Sequence, residues 1–269
     1  MYEPIPVMGV AIVNGTHWID KMLQSIDYPV DNFVIFNNNG RNQITQELEE
    51  LKNKSSPFIK EFHLCHLPHN LGCGGAWNMI IKSFIHAPYW LINSHDVQFT
   101  SGFLEQMVSK ASDPEVGMVH CNASGEYVND DITYNIGSFE CFLIKDWAVQ
   151  QIGLFDENIH PAYCEDVDFT LRLVNNPIKR SVVTLPYIHG EDKYSTTGSQ
   201  TWRTDFSLKD KIDIAHNMNA QYIVDKWGCF WDEKWENMKP YKSPFNIPNA
   251  PISFSGYDLQ TIRTKSLGF

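Results

Sequence analysis

The first half of the chain alternates short apolar runs with stretches whose apolar residues recur every three or four positions. The apolar runs predict strands and the other stretches predict helices. In chain order the predicted elements are strand 7–13, helix 18–26, strand 33–40, helix 44–54, strand 58–67, helix 74–86 and strand 89–97. This order is typical of a parallel sheet with helices on both faces, which binds its ligand at the carboxyl ends of the strands.

The second half of the chain is less regular. Its pattern predicts strands at 115–123, 139–144 and 180–190 and helices at 146–153, 166–176 and 208–228. Residues 190–204 are rich in Ser, Thr and Gly, which predicts a mobile loop. Four prolines after residue 239 predict an extended tail, because proline disrupts both helices and central strands.

Polar residues follow four of the predicted strands directly. They are Asn14-Gly15, Asn37–Gly40, His69-Asn70 and Ser94–Asp96. Asn and Gly suit tight turns, so turn chemistry alone would explain any one of these sites. Because four such strand ends follow one another, we expect them to border one shared crevice.

The composition is that of a globular protein rather than a disordered chain. The 269 residues are 43% hydrophobic and 20% charged, with a net charge of −11. An acidic chain without a basic stripe is not expected to bind nucleic acid. The apolar runs are too short for a transmembrane segment and the start lacks the basic region of a signal peptide, so we expect a cytoplasmic protein. The six cysteines form no C-x-x-C pair and are expected to be reduced thiols, without zinc or disulfides.

The stretch HNLGCGGAWN (69–78) is a glycine-rich turn that leads into a predicted helix. Gly72, Gly74 and Gly75 permit close approach to the backbone, and the amides that open the helix favour phosphate. The stretch is not a P-loop, because no Lys-Ser/Thr pair follows it, and its spacing does not fit G-x-G-x-x-G.

Asp96 lies at the end of a predicted buried strand, in LINSHDVQF (91–99). A buried carboxylate is unfavourable unless it is hydrated, paired or bound to a cation. We therefore expect Asp96 to bind a metal or a ribose hydroxyl, and a helix or turn cap is the alternative. His189, at the end of a later strand, suits a metal ligand or a phosphate contact, although a lone histidine is more often an ordinary hydrogen-bonded residue.

Acidic residues crowd the start of another predicted helix, in PAYCEDVDFTLRL (161–173). Asp168 and Arg172 are i, i+4 partners, which indicates a structural pair. Glu165 and Asp166 are expected to face the mouth of the pocket. Two adjacent carboxylates there suit a general base whose pKa is tuned by its neighbour, and a solvated helix face is the alternative.

These motifs, taken in order, resemble those of a known enzyme family. The stretch IGLFDENIHPAYCEDVDFTLRL is similar to the signature of inverting family 2 glycosyltransferases with the GT-A fold. The order also agrees for FNNNG after the second strand, HNLGCGGAWN, INSHDV, the late histidine and the helix YIVDKWG. The resemblance covers residues 5–228. It implies an α/β fold of the GT-A type, the Rossmann-like nucleotide-diphospho-sugar transferase fold, with a mixed, mostly parallel central sheet and helices on both faces.

The family implies transfer of a sugar, hexose or pentose, from a nucleotide-diphosphate donor to a hydroxyl of a glycan or other acceptor, with inversion. We expect a single domain over residues 1–232, with a nucleotide-binding half at 1–98 and an acceptor half at 99–232. Residues 233–269 are expected to form a C-terminal tail packed on this domain.

The resemblance also assigns roles to individual positions. Asp166 matches the catalytic base, with Glu165 beside it, and Asp96 and His189 match metal ligands. The donor-binding positions are Val13, Asn14, Gly15, Asn37, Asn38, Asn39, Asn70, Gly72, Gly74, Gly75, Asn78, Ser94 and His95. The positions for acceptor or loop contacts are Tyr163, Lys193, Tyr194, Trp202 and Arg203.

The sequence departs from the family at Ser94, which stands where the Asp-x-Asp metal motif has its first acid. Asp96 is then the one ionised ligand of that motif. A divalent cation, Mn²⁺ or Mg²⁺, held by Asp96, His189 and the diphosphate fits the preference of these ions for oxygen ligands. The lost acid predicts a lower metal affinity, and transfer without a metal is the alternative.

Two other functions compete with glycosyl transfer. A nucleotidyltransferase would need a glycine-rich loop with a basic residue directly after the first strand, and AIVNGTHWID has none. A non-catalytic nucleotide-sugar binding module is supported by Ser94 alone, whereas the intact Glu165-Asp166 pair indicates an enzyme.

Overall fold

Strands and helices alternate along the part of the chain that the computed structural model describes, residues 3–40, 44–54, 56–121, 138–176, 178–193 and 200–228. The strands are β1 (Ile5–Ile12), β2 (Val30–Asn37), β3 (Ile59–His66), β4 (Tyr89–Ser94), β5 (Val97–Phe99), β6 (Val116–Cys121), β7 (Ser138–Lys145), β8 (Lys179–Val182), β9 (Tyr187–His189) and β10 (Asp192–Lys193). The helices are α1 (Thr16–Ser25), α2 (Thr45–Lys52), α3 (Gly72–Ser83), α4 (Phe103–Ala111), α5 (Asp146–Ile152), α6 (Glu165–Asn175), α7 (Gln200–Thr204) and α8 (Lys209–Trp227). The predicted α/β class is confirmed.

Seven of the strands form one mixed sheet in the order β3-β2-β1-β4-β7-β6-β8. The strands β1 to β4 are parallel to one another, and β6 is parallel to β8. β7 is antiparallel to both β4 and β6, so the predicted mixed and mostly parallel sheet is confirmed. The carboxyl ends of β1, β2, β3 and β4 therefore lie along one edge.

A second, small sheet places β9 beside the end of β4. It contains β10, β9 and β5 in that order, with antiparallel pairing. β5 begins three residues after β4 ends, and Val97 pairs with His189 of β9. This pairing sets His189 next to the turn that contains Asp96.

Two apolar layers flank the large sheet, one on each face. One layer packs α1, α2 and α4 against the strands, and the other packs α3, α5 and α6. A smaller apolar cluster joins α8 to α6 through Leu171, Ile223 and Trp227. The prediction of helices on both faces is confirmed. Within the described ranges, no helix is long and apolar enough to cross a membrane.

Three of the predicted elements are wrong. The strand predicted at 89–97 ends at Ser94, because the chain turns at His95-Asp96 and then enters the other sheet as β5. The strand predicted at 180–190 is broken into β8 and β9, with Pro186 in the break, where proline offers no N–H for strand pairing. The loop predicted at 190–204 includes β10 and the helical turn α7. Residues 229–269 lie outside the described residues, so the predicted tail and domain boundary stay predictions.

Candidate functional site

The polar strand ends meet along the carboxyl edge of the sheet. β1 pairs with β2 on one side and with β4 on the other. The Asn39 side chain after β2 donates to the carbonyl of Val13 after β1, at 2.6 Å. Gly15 lies against the end of β4, since a Cβ built on it would be 3.4 Å from His95 Nε2. These ends border one continuous surface.

The amide of Asn38 shapes the glycine-rich turn. Its oxygen accepts the backbone N–H of Leu71 at 2.8 Å, and its nitrogen donates to the carbonyl of Gly72 at 3.1 Å. The side chain of Asn70 accepts the Gly72 N–H at 2.7 Å, and Gly72 opens α3 with a φ of 75°. The two asparagines hold the backbone that we expected to run along the donor.

Two other predicted donor contacts, Asn37 and Asn78, are turned inward. The Asn37 side chain is 3.0 Å from His66 Nδ1. Asn78 is buried, and its amide bonds to both the N–H and the carbonyl of Phe155 and to Glu157. In this structure Asn78 fixes the loop after α5 rather than lining the crevice.

Asp96 is fully buried at the carboxyl edge. Its Oδ2 accepts the backbone N–H of Gln200 at 3.0 Å, which anchors α7 over the site. Its Oδ1 lies 3.3 Å from His189 Nε2 but receives no hydrogen bond from the described residues. His95 Nε2 and Asn14 Oδ1 are likewise buried without a hydrogen-bond partner there. Ser94 is half-buried beside them.

His189 lies between two carboxylates. Its Nε2 faces Asp96, and its Nδ1 is 3.2 Å from Glu140 Oε1 on β7. The other oxygen of Glu140 accepts a short hydrogen bond from the Tyr187 hydroxyl. Burial lowers the pKa of His189, but Asp96 and Glu140 outweigh it and raise the pKa to about 11. Burial opposes the Asp96 charge as well, yet His95 and His189 hold the pKa of Asp96 well below its usual range.

Glu165 and Asp166 open α6, as predicted from the sequence, but they differ in exposure. Glu165 is buried, and the Cys73 thiol bonds to it from the glycine-rich turn. Burial and the neighbouring Asp166 raise the pKa of Glu165 to about 8. Asp166 is half-buried, and its Oδ1 accepts the Val167 N–H at 2.8 Å. Burial also raises the pKa of Asp166, with a further contribution from Glu140.

The chain enters α6 through two consecutive non-glycine residues with left-handed backbone, Tyr163 (φ 69°) and Cys164 (φ 77°). Such residues are strained and persist where neighbouring contacts hold them. Here the Asn219 side chain of α8 donates to the carbonyls of Ala162 and Tyr163, at 3.1 and 3.0 Å. The N–H of Cys73 donates to the carbonyl of Pro161, the residue before Ala162, at 2.7 Å. The entry to α6 is thus tied to both α3 and α8.

A buried charge cluster joins α8 to α6 and to the loop after α5. Lys226 Nζ lies 2.7 Å from Asp156 Oδ2 and 2.5 Å from Asp168 Oδ1. Asp168 also pairs with Arg172 at 2.8 Å and accepts the Trp227 indole N–H at 2.9 Å. The predicted structural pair of Asp168 and Arg172 is confirmed. The YIVDKWG helix therefore positions α6, whose first turn carries Asp166.

The predicted acceptor contacts meet in part around α7. A cavity of about 520 Å³ is lined there by His17, Trp18, Glu191, Gln200, Trp202, Arg203, Thr204 and Phe206. Trp202 also lies beside the Tyr163 side chain, so the cavity adjoins the entry to α6. Asn14 donates to the Thr201 carbonyl at 2.9 Å. The backbone of Lys193 lies in β10, and Tyr194 is outside the described residues.

Sequence reasoning missed Glu140, Cys73 and Gln200. Glu140 had a visible signal, since it is a charged residue within the apolar run FECFLI. Cys73 was treated as a small residue of the glycine-rich turn, and Gln200 contributes through its backbone N–H, which has no sequence signature.

A family model described as glycosyl transferase family 2 matches residues 16–160, which is more than half of the chain. The chain belongs to glycosyl transferase family 2. A search of the curated proteins finds no significant match.

Solved glycosyltransferase structures share the fold of this family 2 member. TarS 1-349 from S. aureus is 16% identical with a TM-score of 0.55, over 82% of this chain and 66% of that one. The mannosyltransferase PcManGT from Pyrobaculum calidifontis, in complex with GDP-Man and Mn²⁺, is 16% identical with a TM-score of 0.54, over 82% of this chain and 65% of that one. GalNAc-T7 with UDP, GalNAc and Mn²⁺ is 10% identical with a TM-score of 0.57, over 87% and 49%. The chain thus spans two thirds or less of these proteins, and the predicted GT-A fold is confirmed.

The raised pKa of Glu165 predicts how the stability of this protein changes with pH. The folded state binds the Glu165 proton more tightly than the unfolded state, so the stability from that proton is complete below about pH 4.5 and is lost as the pH rises to about 8. In a thermal melt series from pH 5 to 8.5, the wild type should lose several degrees relative to Glu165→Gln. Parallel pH profiles for the two proteins would show that Glu165 does not titrate in this window.

Gly72 is expected to tolerate alanine less well than Gly102. Both have a positive φ, but a Cβ on Gly72 would be 2.9 Å from His160 Cδ2, whereas the nearest atom to a Cβ on Gly102 is 3.8 Å away. Left-handed backbone costs alanine about 1 kcal/mol in both variants, and overpacking adds about 1–3 kcal/mol at Gly72 alone. Urea unfolding of both variants measures the difference. Equal losses would mean that the turn relaxes around the added methyl group.

Proposed function

We propose that this glycosyltransferase transfers a sugar from a nucleotide-diphosphate donor to a hydroxyl of a glycan or other acceptor, with inversion at the anomeric carbon. The observation that carries the proposal is the carboxyl pair at the start of α6. Glu165 is buried with its pKa near 8, while Asp166 is half-buried beside it. At neutral pH a protonated Glu165 adds no negative charge beside Asp166, and Asp166 is the more exposed of the two, which suits it as the general base.

Donor binding is assigned to the carboxyl edge of the sheet. The ends of β1 and β2 meet there through Asn39 and Val13, and the end of β4 lies against Gly15. The glycine-rich turn lies at the same edge and opens α3, whose positive end favours a phosphate nearby, while the N–H groups of Leu71, Gly72 and Cys73 bond within the protein. Two of the structural neighbours are named as complexes with GDP-Man and with UDP, which agrees with a nucleotide-sugar donor.

The proposed reaction is a single displacement. The Asp166 carboxylate takes the proton of the acceptor hydroxyl, and that oxygen forms a bond to C1 of the sugar. The bond between C1 and the diphosphate oxygen breaks on the opposite face, and the nucleoside diphosphate leaves with the electron pair. Asp166 is accessible for this step because it is half-buried at the end of a helix. The strained Tyr163-Cys164 entry, held by Asn219, fixes the carboxylate in place.

Asp96 and His189 are the proposed ligands of a divalent cation, and their donor set fits one. Asp96 Oδ1 is buried without a hydrogen bond from the described residues and faces His189 Nε2 at 3.3 Å. Within the same residues, no group of three or more His, Cys, Asp or Glu side chains is arranged to hold a metal, so we assign two protein ligands and leave the other positions to the diphosphate and water. When bound, Mn²⁺ or Mg²⁺ would stabilise the negative charge of the leaving diphosphate.

The acceptor is assigned to the side of α7 and the α6 entry. Trp202 lies beside Tyr163, two residues before Glu165, and it lines the cavity with Arg203. Aromatic rings of this kind pack against the apolar faces of sugars, while the guanidinium binds hydroxyl or acidic groups. A glycan is therefore the acceptor class that this side of the site favours.

A thermal-shift screen of nucleotide sugars, with and without Mn²⁺, tests the proposed function. Ligands that bind only the folded state raise the melting temperature by mass action. We expect one nucleotide sugar to stabilise the protein more than the free sugar does, and Mn²⁺ to increase the shift. No shift with any nucleotide, in the presence or absence of metal, would contradict the donor site.

A further inference from the structure

Glu140 is an acid placed within an apolar strand. It lies on β7 between Phe139 and Cys141, which are both buried. Both of its oxygens contact residues of β9. Oε1 is 3.2 Å from His189 Nδ1, and Oε2 accepts the Tyr187 hydroxyl. Because residues two apart in a strand face the same side, β9 presents Tyr187 and His189 to Glu140 together.

Glu140 lies on the strand next to β4, close to the point where β4 ends. In the antiparallel pairing of β4 with β7, Ile92 faces Phe142 and Asn93 faces Cys141, and the pairing ends there. β7 is irregular just beyond this point, because its pairing with β6 shifts register between His120 and Cys121. An acid of β7 therefore follows directly on the residues that pair with the uncharged end of β4.

We propose that Glu140 is a positioning residue for the cation site, which holds His189 with its proton on Nδ1 and so presents Nε2 as a ligand beside Asp96. Histidines that bind metals commonly donate their other ring N–H to a carboxylate, which fixes the ring and raises its basicity as a ligand. This inference rests on the proposed function, in which Asp96 and His189 bind the cation. Glu140 itself contacts His189 and Tyr187, so its effect on the cation passes through the histidine.

The local charges favour the same arrangement. Asp96 and Glu140 are two carboxylates on opposite sides of one imidazole ring. With the ring proton on Nδ1 and Nε2 free to bind, the two carboxylates carry two negative charges, which a divalent cation compensates. The Tyr187 hydroxyl bond keeps Glu140 in the orientation in which Oε1 points to His189.

The test is the affinity of the whole protein for Mn²⁺ alone, measured from the EPR signal of the free ion. Loss of such an outer carboxylate typically costs about 10–100-fold in metal affinity, and we expect that loss for Glu140→Ala. Glu140→Gln keeps an oxygen that accepts the Nδ1 proton but lacks the charge, so it should bind Mn²⁺ with an affinity between wild type and Glu140→Ala. Glu61→Ala, an exposed acid on β3, is the matched control and should bind as wild type.

A double variant separates positioning from a general loss of charge. Since Glu140 acts through the ring, Glu140→Ala should cause no further loss of Mn²⁺ affinity in a His189→Ala background. Wild-type affinity in both Glu140 variants, or additive losses in the double variant, would overturn the inference. If a thermal melt without metal shows that Glu140→Ala does not fold, the Mn²⁺ affinity of Glu140→Gln alone decides whether the inference stands. Unchanged affinity in both Asp96→Ala and His189→Ala would instead refute the proposed cation site itself.

Discussion

Replacing Asp166 by asparagine is expected to lower the rate of sugar transfer by about 10²–10⁴-fold, the usual contribution of a general base. Asparagine keeps the size of the side chain and can still accept the Val167 N–H that holds Oδ1. It cannot take the proton of the acceptor hydroxyl. The loss should fall on turnover, with donor affinity close to wild type, because the donor is assigned to the ends of β1, β2 and β4.

Glu165→Gln is the matched comparison for that variant. Its carboxyl is the next one along the chain, but burial and Asp166 raise its pKa to about 8. Glutamine therefore resembles the protonated form that exists at neutral pH, and we expect a much smaller loss of rate. Asp210→Asn, at an exposed acid in the first turn of α8, should leave the rate unchanged. Unchanged turnover in Asp166→Asn would refute the assignment of the base.

Replacing Lys226 by methionine is expected to destabilise the protein by about 3–5 kcal/mol, the typical cost of leaving a buried charge without its partner. The Lys226 side chain is 2% exposed, and its ammonium group contacts both Asp156 and Asp168. Methionine fills a similar volume, so the loss comes mainly from Asp156, which keeps hydrogen bonds from Asn158 and Tyr222 but loses the ammonium charge, while Asp168 still pairs with Arg172. Urea unfolding or the melting temperature measures it.

Lys209→Met is the control for the loss of a lysine from the same helix. Lys209 pairs with Asp213 at 2.6 Å, but its side chain is 47% exposed. An exposed pair contributes little, so stability should stay near wild type. Equal destabilisation by both variants would mean that the buried cluster is not what holds α8 to α6.

The regular first half of the fold could be predicted from the sequence because most residues of β1, β2 and β4 are buried on both faces of the sheet. Such strands are continuous apolar runs, as in VMGVAIV, and the polar residues that end them are easy to see. The site at the carboxyl edge of the sheet could be predicted from the alternation of strands and helices. The pair of Asp168 and Arg172 was also predictable, because both residues lie on one helix at i, i+4 spacing.

Long-range contacts account for what the sequence did not reveal. Trp227 bonds to Asp168 across 59 positions, and Gln200 bonds to Asp96 across 104. Neither separation leaves a local pattern. α7 forms in a Ser/Thr-rich segment that predicted a loop, and its first backbone N–H is held by Asp96. Tertiary contact there outweighs local propensity.

Glu140 on β7 shows a second limit of prediction from the sequence, because a visible residue does not reveal its partners. Glu140 is visible in FECFLI as a charge among apolar residues, but its role depends on pairing between β4 and β7 and on the position of β9. A sequence pattern does not determine which strands are neighbours in a mixed sheet. The departure at Ser94 could therefore be seen from the sequence, whereas the contact between Glu140 and His189 could not.

Release of nucleoside diphosphate by the wild-type protein tests the central claim most directly. The nucleotide sugar that gives the largest thermal shift is incubated with the protein and Mn²⁺, and the free nucleoside diphosphate is followed over time. We predict slow release by transfer to water, faster release when a glycan acceptor is added, and little release from Asp166→Asn. Firm binding of the nucleotide sugar without any release, with or without acceptor, would contradict the claim and indicate a binding module instead.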